Sequence, residues 1–322
     1  MADAQTERTA VRLLVVDSHG ADRRLDNFLG SALGDIPKSH IYRIIRTGEV
    51  RINGGRGKPS TKLTLGDVVR VPPIRLDSDA PPPISRRYLD AFERMILLED
   101  AQIVIVNKPP GLAVHAGSGV RFGLIDIARA ARPEAPRLDL VHRLDRQTSG
   151  CLLIAKDVQT LRTLNGQLAA RAFEKTYVAL VLGRPERDHY SVDAPLDVEH
   201  RVASERHTVT AEVGRSAQTE FRVLRRFADC CLVEAKPETG RTHQIRAHAL
   251  HLGHPLAGDE KYGPADFNTR MKALGLRRLF LHAVSLEFYL GQKYRVEAPL
   301  ASDLQAFLEH LQTGRLEPTV EL

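Results

Sequence analysis

The stretch Val141-His142-Arg143-Leu144-Asp145-Arg146-Gln147-Thr148-Ser149-Gly150 leads directly into the apolar run Cys151–Ala155. A short apolar run bounded by polar residues is typical of a buried strand, and the polar stretch before it is then a loop that the sheet holds in place. An aspartate among arginines is usually part of a surface ion pair. In this loop, however, the flanking cations also favour the charged carboxylate that a nucleophile needs, so Asp145 is a candidate catalytic residue.

Further strands and helices are predicted on both sides of this stretch. Asp157 is placed to cap a helix, and a second helix is predicted from about Thr242 to Leu252, ended by Gly253. Many strands with few helices between them indicate an α+β fold on a mixed, largely antiparallel central sheet. The strands are predicted at Ile103–Asn107, Cys151–Ala155, Thr176–Leu182, Thr219–Leu224, Cys231–Ala235 and Leu279–Phe288.

A smaller α/β unit is predicted before this domain. A helical pattern begins at Arg24, and short strands at Val50–Asn53 and Asp67–Val71 are separated by the Gly54-Gly55 turn. The prolines at 72–73 and 81–83 exclude regular structure and stiffen the chain into a linker. The predicted organisation is a frayed tail over residues 1–20, the small unit over 21–73, a proline-rich linker over 74–90 and the large domain over 91–322.

Composition restricts the class of protein only weakly. The chain has 322 residues, with 46 Lys and Arg against 40 Asp and Glu, a mild basic excess that is compatible with a nucleic-acid partner without requiring one. The three cysteines suggest no disulfide framework and no zinc motif, and we expect reduced thiols in the cytoplasm. No stretch reaches the apolar length of a membrane span, so we expect no membrane association.

One part of the small unit is strongly basic. A charge run is usually a solvated face, but here the bases fall on a helix, a strand and a turn that together would present one cationic surface to a phosphate backbone. The segment from Lys38 to Lys62 contains seven basic residues and one acidic residue, Glu49. We therefore predict that the seven basic residues bind RNA: Lys38, Arg43, Arg46, Arg51, Arg56, Lys58 and Lys62.

Three motifs occur in an order that makes a chance likeness improbable. His142-Arg143-Leu144-Asp145, followed by Thr148-Ser149-Gly150, resembles the signature of the RluA-type family of RNA pseudouridine synthases. Glu174-Lys175-Thr176-Tyr177 is similar to the second motif of that family, and Gly240-Arg241-Thr242-His243-Gln244-Ile245-Arg246 to the third. Arg24-Leu25-Asp26 and Arg46-x-Gly48-x-Val50-x-Ile52-Asn53-Gly54 resemble an S4-type RNA-binding domain.

The resemblance implies a role for each matching residue. Asp145 is then the catalytic nucleophile, Tyr177 stacks on the target base, and Arg246 pairs with Asp145. We expect the guanidinium of Arg246 to donate two hydrogen bonds to the Asp145 carboxylate. Arg143 fills the space of the flipped base, and Arg241 and His243 contact RNA. The competing interpretation is structural: Tyr177 as a half-buried sheet residue, and Arg241 and Arg246 on a solvated helix face.

The implied activity is isomerisation of uridine to pseudouridine in 23S ribosomal RNA, without cofactor or metal. The implied partner is 23S ribosomal RNA or a large-subunit assembly intermediate, and we expect a cytoplasmic monomer. His243, His248, His251 and His254 lack the spacing of a metal motif, and we expect no metal site there. Two alternatives stay open: a pseudouridine synthase acting on transfer RNA, and a non-enzymatic ribosome-assembly factor.

Overall fold

The computed structural model describes residues 11–17, 20–33, 36, 38–73, 84–116, 120, 122–135, 137–202, 205–210 and 214–313. The chain divides into two compact units, residues 1–83 and 84–322. In the described ranges, no helix combines the length and the apolar character that crossing a membrane requires.

The first unit packs two helices against a four-stranded antiparallel sheet of order β1-β4-β2-β3. Its core joins Leu25 and Leu29 of the first helix to Ile41 and Ile44 of the second and to Val69 of the sheet. The elements are β1 (Arg12–Val15), α1 (Leu25–Ala32), α2 (Lys38–Arg46), β2 (Arg51–Ile52), β3 (Gly55–Arg56) and β4 (Val68–Val71).

Two predicted boundaries differ from the observed elements. The predicted frayed tail includes residues 12–15, but these residues form β1 and pair with β4. Leu13 and Val15 are about two-thirds exposed on this edge strand, so it lacks the alternation by which a half-buried strand is recognised. The predicted linker over 74–90 extends too far, because helix α3 begins at Arg86.

The second unit is built on one large sheet with helices packed on it. The elements are α3 (Arg86–Met95), β5 (Ile96–Glu99), β6 (Ile103–Lys108), α4 (Leu124–Ala131), β7 (Asp139–Leu140), β8 (Ser149–Ala155), α5 (Val158–Ala169), β9 (Glu174–Leu182), β10 (His189–Asp193), β11 (Leu196–Val202), β12 (Glu205–Thr210), β13 (Gln218–Arg226), β14 (Cys230–Pro237), α6 (Gln244–His251), α7 (Ala265–Ala273), β15 (Leu281–Leu290), β16 (Gln292–Glu297) and α8 (Ser302–Thr313).

The sheet confirms the predicted mixed, largely antiparallel architecture. Its main path runs β10-β13-β14-β9-β15-β8-β6-β5, with β16 paired to β15 and β7 paired to β8. Among the described strands of this sheet, the pairing of β8 with β15 is parallel and the others are antiparallel. All residues of β8 are buried, which explains the continuous apolar run Cys151–Ala155.

Gly150 makes the parallel contact between β8 and β15 possible. Its φ is +110°, a conformation that residues with a side chain rarely adopt, and a Cβ built on it would lie 2.2 Å from the Ala283 carbonyl oxygen. The glycine that ends the first motif is therefore required by close backbone packing. This packing fixes the start of β8, and with it the loop that precedes the strand.

Candidate active site

The loop that carries Asp145 is fixed by hydrogen bonds to the segment after β6. The Thr148 amide donates to the Asp145 carbonyl at 3.1 Å, and the Gly111 amide donates to the Arg146 carbonyl at 2.8 Å. The Lys108 ammonium is completely buried and donates to the carbonyls of Pro109, Leu112 and Arg146 at 2.9 to 3.2 Å. Burial lowers the pKa of Lys108 to about 7, and Asp145 opposes that shift. Lys108 therefore joins both segments at the residue next to Asp145.

Arg246, in the first turn of α6, lies beside the Asp145 carboxylate. Its Nη1 atom is 3.5 Å from Asp145 Oδ2, a distance at which charges attract without a good hydrogen bond. The other side of the guanidinium donates two hydrogen bonds to Asp259: Nε to Oδ2 and Nη2 to Oδ1, both at 2.7 Å. The guanidinium also lies over the Tyr262 ring, 4.8 Å from its centroid. Arg246 is therefore held by Asp259 and Tyr262 while one nitrogen faces Asp145.

The expectation of a two-point contact between Arg246 and Asp145 was wrong. Asp259 occupies the paired donors of the guanidinium, and this carboxylate is 1% exposed. It is itself fixed in a tight turn, because Asp259 Oδ1 accepts the amides of Lys261 and Tyr262 at 3.0 and 3.1 Å. A buried carboxylate needs a full set of donors, and two from Arg246 complete this one.

The loop before α6 is ordered by Gln244. The Gln244 Oε1 atom accepts the Thr239 hydroxyl at 2.6 Å and the Arg241 amide at 3.0 Å. Its Nε2 group donates to Gln218 and Thr219 on β13. A single buried amide thus ties residues 239–241 and the start of α6 to the sheet. This accounts physically for glutamine within the third motif.

His243 precedes α6 in the left-handed conformation, with φ of 54°. Its Nδ1 atom lies 2.9 Å from the Tyr262 hydroxyl, and its Nε2 atom lies 3.7 Å from Asp145 Oδ2. Burial lowers the pKa of His243 to about 4, although Asp145 acts in the opposite direction. The imidazole is therefore neutral near pH 7. Of the two residues beside Asp145, His243 and Arg246, only Arg246 then carries a positive charge.

Tyr177 and Lys175 project from β9 into the same space. They are two positions apart on a strand, so their side chains share a face of the sheet. Each is 8% exposed. Burial raises the pKa of Tyr177, and the nearby Asp145 raises it further, so the phenol keeps its proton at neutral pH. Tyr177 therefore offers an aromatic ring and a hydrogen-bond donor.

These residues line a cavity of about 360 Å³. The structure brings together the six candidates of the second unit, and each of them lines this cavity: Arg143, Asp145, Tyr177, Arg241, His243 and Arg246. Arg143 and Arg241 are exposed, at its solvent side. The cavity also exposes Lys175, which the sequence did not single out as a site residue. An aromatic side chain, a carboxylate and several cations around one cavity suit an anionic ligand with a flat ring.

The seven basic candidates of the first unit lie on different elements of that unit. Arg43 and Arg46 are in the last turn of α2, Arg51 is on β2 and Arg56 on β3, while Lys58 and Lys62 follow in the loop to β4. Arg43 forms a 3.5 Å ion pair with Glu49. Lys38 begins α2, and its side chain lies outside the described ones. Their role in RNA binding stays a prediction.

The four histidines considered for metal binding have separate partners. His248 hydrogen bonds with Thr219 and Ala194, His254 with the Leu182 carbonyl, and His251 with Thr210. No group of three or more metal-binding side chains occurs within the described ranges.

Besides Lys175, the sequence does not identify two further residues of the site, Asp259 and Tyr262. The signal was the run Gly258-Asp259-Glu260-Lys261-Tyr262-Gly263, in which two glycines bracket an acidic and an aromatic residue. That composition predicts a turn, but it does not show that the turn meets α6. Gly258 has a φ of +72°, and an added Cβ would lie 2.1 Å from the Arg278 carbonyl, so the turn depends on glycine there.

Comparison with protein families places the chain in a known class. The family model for RNA pseudouridylate synthase matches residues 102–251, and the S4 domain model matches residues 23–69. The first range contains Asp145, Tyr177 and Arg246. The chain belongs to the RNA pseudouridine synthase family and carries an S4 domain before its synthase domain.

The particular relatives are full-length matches called ribosomal large subunit pseudouridine synthase C. The protein of that name from Yersinia pestis is 46% identical, over 94% of this chain and 96% of the relative. The Haemophilus influenzae protein is 45% identical over 95% and 97%, and the Escherichia coli K12 protein is 44% identical over 97% and 100%.

Solved structures agree with this fold. Human RNA pseudouridylate synthase domain containing 4 is 26% identical, with a TM-score of 0.59 over 70% of this chain and 95% of that one. Human RNA pseudouridylate synthase domain containing 1 shares the fold with a TM-score of 0.53 at 22% identity, over 67% of this chain and 94% of that one.

Proposed function

We propose that this protein isomerises specific uridines of 23S ribosomal RNA to pseudouridine, with Asp145 as its nucleophile. The observation that carries the proposal is the placement of the Asp145 carboxylate, 18% exposed, in a cavity of about 360 Å³ shared with Tyr177 and Arg246. The names of the relatives, which cover nearly the whole chain, support ribosomal RNA of the large subunit as the substrate.

The proposed reaction breaks the C1′–N1 bond of the target uridine and forms a C1′–C5 bond. The N1 atom leaves with the bonding electron pair, and Asp145 meets the electron deficiency at C1′ either by bonding to C1′ or by accepting a proton from the sugar. After the detached uracil turns, C5 bonds to C1′. In the first route the bond between Asp145 and C1′ breaks at this step, and in the second Asp145 returns the proton to the sugar; C5 then loses its proton and N1 gains one. No electron or phosphoryl group is transferred overall, so the balance closes with the substrate and the side chains of the cavity.

The remaining side chains of the cavity have roles that follow from their surroundings. A uridine within a folded RNA must leave its stack before Asp145 can reach it, and an aromatic side chain such as Tyr177 can stack on the extruded base. Arg246 orients Asp145 by attraction while Asp259 holds the guanidinium. Arg143 and Arg241 are exposed next to the cavity and would contact the RNA around the target.

We further propose that the S4 domain binds the phosphate backbone of 23S ribosomal RNA or of a large-subunit assembly intermediate. The support is the cluster of bases on α2, β2 and β3, together with the match to the S4 domain model. We also propose that the protein acts in the cytoplasm during ribosome assembly, and that it does so as a monomer.

The experiment compares wild type with Asp145→Asn and, as a matched control, Asp266→Asn, whose side chain is 74% exposed on α7. Pseudouridine is mapped in ribosomal and transfer RNA from cells that lack the protein and carry one of these genes. We expect wild type and Asp266→Asn to restore sites in 23S ribosomal RNA, and Asp145→Asn to restore none.

Restoration confined to transfer RNA would make the substrate assignment wrong while leaving the enzyme class intact. Restoration by Asp145→Asn would exclude Asp145 as the nucleophile. Growth or assembly that depends on the protein without any change in pseudouridine would favour a non-enzymatic assembly factor.

A further inference from the structure

Lys175 is a buried cation in the cavity with little compensation from the protein. Its Nζ atom makes one long hydrogen bond, 3.4 Å to the Thr239 carbonyl, and the residue is 8% exposed. In the part of the chain that the structure describes, no carboxylate forms an ion pair with it. Burial lowers the pKa of Lys175, and no neighbouring anion raises it.

Lys108 shows how a structural lysine is accommodated in the same domain. Its ammonium is also buried, but it donates to three backbone carbonyls at 2.9 to 3.2 Å. Those three acceptors use all three N–H groups. Lys175 has one weak acceptor, and its side chain lines the cavity. The two lysines are therefore not equivalent: Lys108 is satisfied by the protein, whereas Lys175 has donors left for a ligand.

A buried, poorly paired ammonium destabilises a fold, because the free energy lost on desolvation is not offset by hydrogen bonds or an ion pair. At this position a methionine would fill similar space at lower cost. The charge is thus best explained by a negative charge that arrives in the cavity. Tyr177, whose ring is proposed to stack on the target base, lies on the same face of the same strand as Lys175. The negative charge is therefore expected to be on the base that stacks on Tyr177.

We propose that Lys175 is a catalytic residue that stabilises the negative charge of the uracil when it detaches from the ribose. This inference rests on the proposed function. Breaking the C1′–N1 bond leaves the electron pair on uracil, and the charge spreads from N1 to the O2 and O4 oxygens. A cation already in place in a water-poor cavity stabilises such a developing charge without reorganisation. The charge disappears again when C5 bonds to C1′, C5 loses its proton and N1 is protonated.

Two other roles would also place a lysine here. Lys175 could brace the loop at Thr239 through its hydrogen bond, or it could bind a phosphate of the substrate. A brace requires a hydrogen-bond donor but no charge. A phosphate contact requires charge but is indifferent to the chemistry of the base. A contact with detached uracil requires charge and depends on how well the base carries a negative charge.

The test uses Lys175→Met and Lys175→Gln in the full-length protein. Glutamine keeps a donor for the Thr239 carbonyl but has no charge. The matched control is Lys236→Met, a lysine on the adjacent strand β14 that lines a groove with Thr176, on the opposite face of the sheet from Tyr177. Single-turnover rates are measured at saturating enzyme on one 23S ribosomal RNA fragment that contains either uridine or 5-fluorouridine at the target position.

Fluorine at C5 withdraws electrons and makes uracil a better leaving group, so its departure depends less on a stabilising cation. Because fluorine also blocks proton loss from C5, the common readout is consumption of the target nucleoside in digested RNA. With uridine, we expect both Lys175 variants to be slowed by about 100-fold or more, the size expected when one charge-stabilising group is removed. With 5-fluorouridine we expect the loss to be at least about tenfold smaller, and Lys236→Met to match wild type on both.

Stability gives an independent readout. Removing an uncompensated buried charge should leave the melting temperature of Lys175→Met unchanged or raise it. Near-wild-type rates for Lys175→Gln, or a lower melting temperature for Lys175→Met that Lys175→Gln does not share, would support the brace and overturn the inference. An equal loss on the two RNAs would support a phosphate contact and overturn it as well. A wild-type protein that forms no pseudouridine would instead remove the proposed function itself.

Discussion

Arg246 and Asp259 form a two-point ion pair, with both nitrogen-to-oxygen distances at 2.7 Å, and the remaining nitrogen of Arg246 lies 3.5 Å from Asp145. The carboxylate of Asp259 is 1% exposed and is fixed by the amides of Lys261 and Tyr262. The orientation of Arg246 toward Asp145 is therefore set by the turn at Asp259, which lies outside all three motifs. We therefore expect Asp259 to act on the proposed reaction through Arg246, as a positioning residue.

Asp259→Asn should reduce both stability and turnover. The substitution leaves the buried Arg246 guanidinium without its counter-charge, and breaking a buried ion pair costs about 3 kcal/mol or more. We expect a lower melting temperature and a single-turnover rate on a ribosomal RNA fragment reduced by about tenfold or more, since a misdirected guanidinium no longer orients Asp145. A merely structural role would lower stability alone, with the rate unchanged at temperatures where the variant is folded. Asp266→Asn, in the neighbouring helix α7, is the control.

Arg246→Ala should lower the single-turnover rate by about 100-fold or more, because Asp145 loses its nearby charge. Arg246→Lys should fall between alanine and wild type. Lysine keeps the charge, but a single ammonium cannot reproduce the planar fork toward Asp259 while also facing Asp145. Saturating enzyme prevents weaker RNA binding from being taken for slow chemistry.

Arg129→Ala is a suitable control for Arg246→Ala, since its side chain is half exposed and pairs with Asp139 at 2.8 Å, away from the cavity lining. A near-wild-type rate for Arg246→Ala would mean that Arg143 or Arg241 supplies the charge for Asp145. Asp145 could then still be the nucleophile, but the third motif would act in binding alone.

The sequence predicted buried elements well and exposed ones poorly. Strands β6 and β8 are apolar because both faces are covered, and the predicted runs Ile103–Asn107 and Cys151–Ala155 lie within them. Asp157 caps α5 as expected, accepting the Thr160 amide. By contrast, β1 pairs through its backbone while exposing Leu13 and Val15, so its side chains carry no periodic signal.

The sequence predicted six residues that line the cavity, but not all of its members and not which side chains pair with one another. The motifs identified Asp145, Tyr177 and Arg246 one by one, and the fold places them around one cavity. Which carboxylate Arg246 pairs with depends on how the turn at Asp259 packs on α6, which no local spacing encodes. Lys175 was passed over for a related reason. A charged residue on a strand is expected at the surface, and only the tertiary structure shows that it is buried.

We expect the free energy of unfolding to fall in acid because of two histidines that line the cavity, His142 and His243. Burial lowers the pKa of both His142 and His243 to about 4, below the value of about 6.5 expected in the unfolded chain. As pH falls from 6.5 toward 4, the unfolded chain therefore takes up protons that the folded protein does not. Stability from the neutral histidines is complete above pH 6.5 and is lost across that window, on the order of 3 kcal/mol for each residue.

His243→Gln and His142→Gln should each lose less stability than wild type between pH 7 and pH 4.5. The measurement is calorimetric unfolding at both pH values, with His189→Gln, an exposed histidine, as the control. If the two variants and wild type lost the same stability, the acid sensitivity would arise from other groups.

An arginine ladder crosses the sheet of the S4 domain. Arg70 of β4 is directly opposite Arg51 of β2, which in turn is directly opposite Arg56 of β3. Like charges at paired positions on neighbouring strands destabilise a sheet. Within the described residues none of the three forms an ion pair with a carboxylate, and Arg70 reaches only the Glu49 carbonyl, at 3.4 Å. We therefore expect this row to meet an anionic partner, and phosphates at successive positions of an RNA strand would fit it.

Replacing these arginines with glutamine should therefore weaken RNA binding in a salt-dependent way without harming the fold. Removal of one arginine–phosphate interaction should reduce the slope of log affinity against log salt by about 0.7 to 0.9, so the slope for the triple variant should fall by about 2 to 2.7. Its melting temperature should be unchanged or higher, because repulsion within the ladder is relieved. Arg86→Gln, 89% exposed on α3, removes an arginine that belongs to the second unit and is the control. If the triple variant kept the wild-type slope on a 23S ribosomal RNA fragment, the ladder would not be part of the RNA-binding surface. The phosphate contacts would then have to come from the remaining bases of the unit: Lys38, Arg43, Arg46, Lys58 and Lys62.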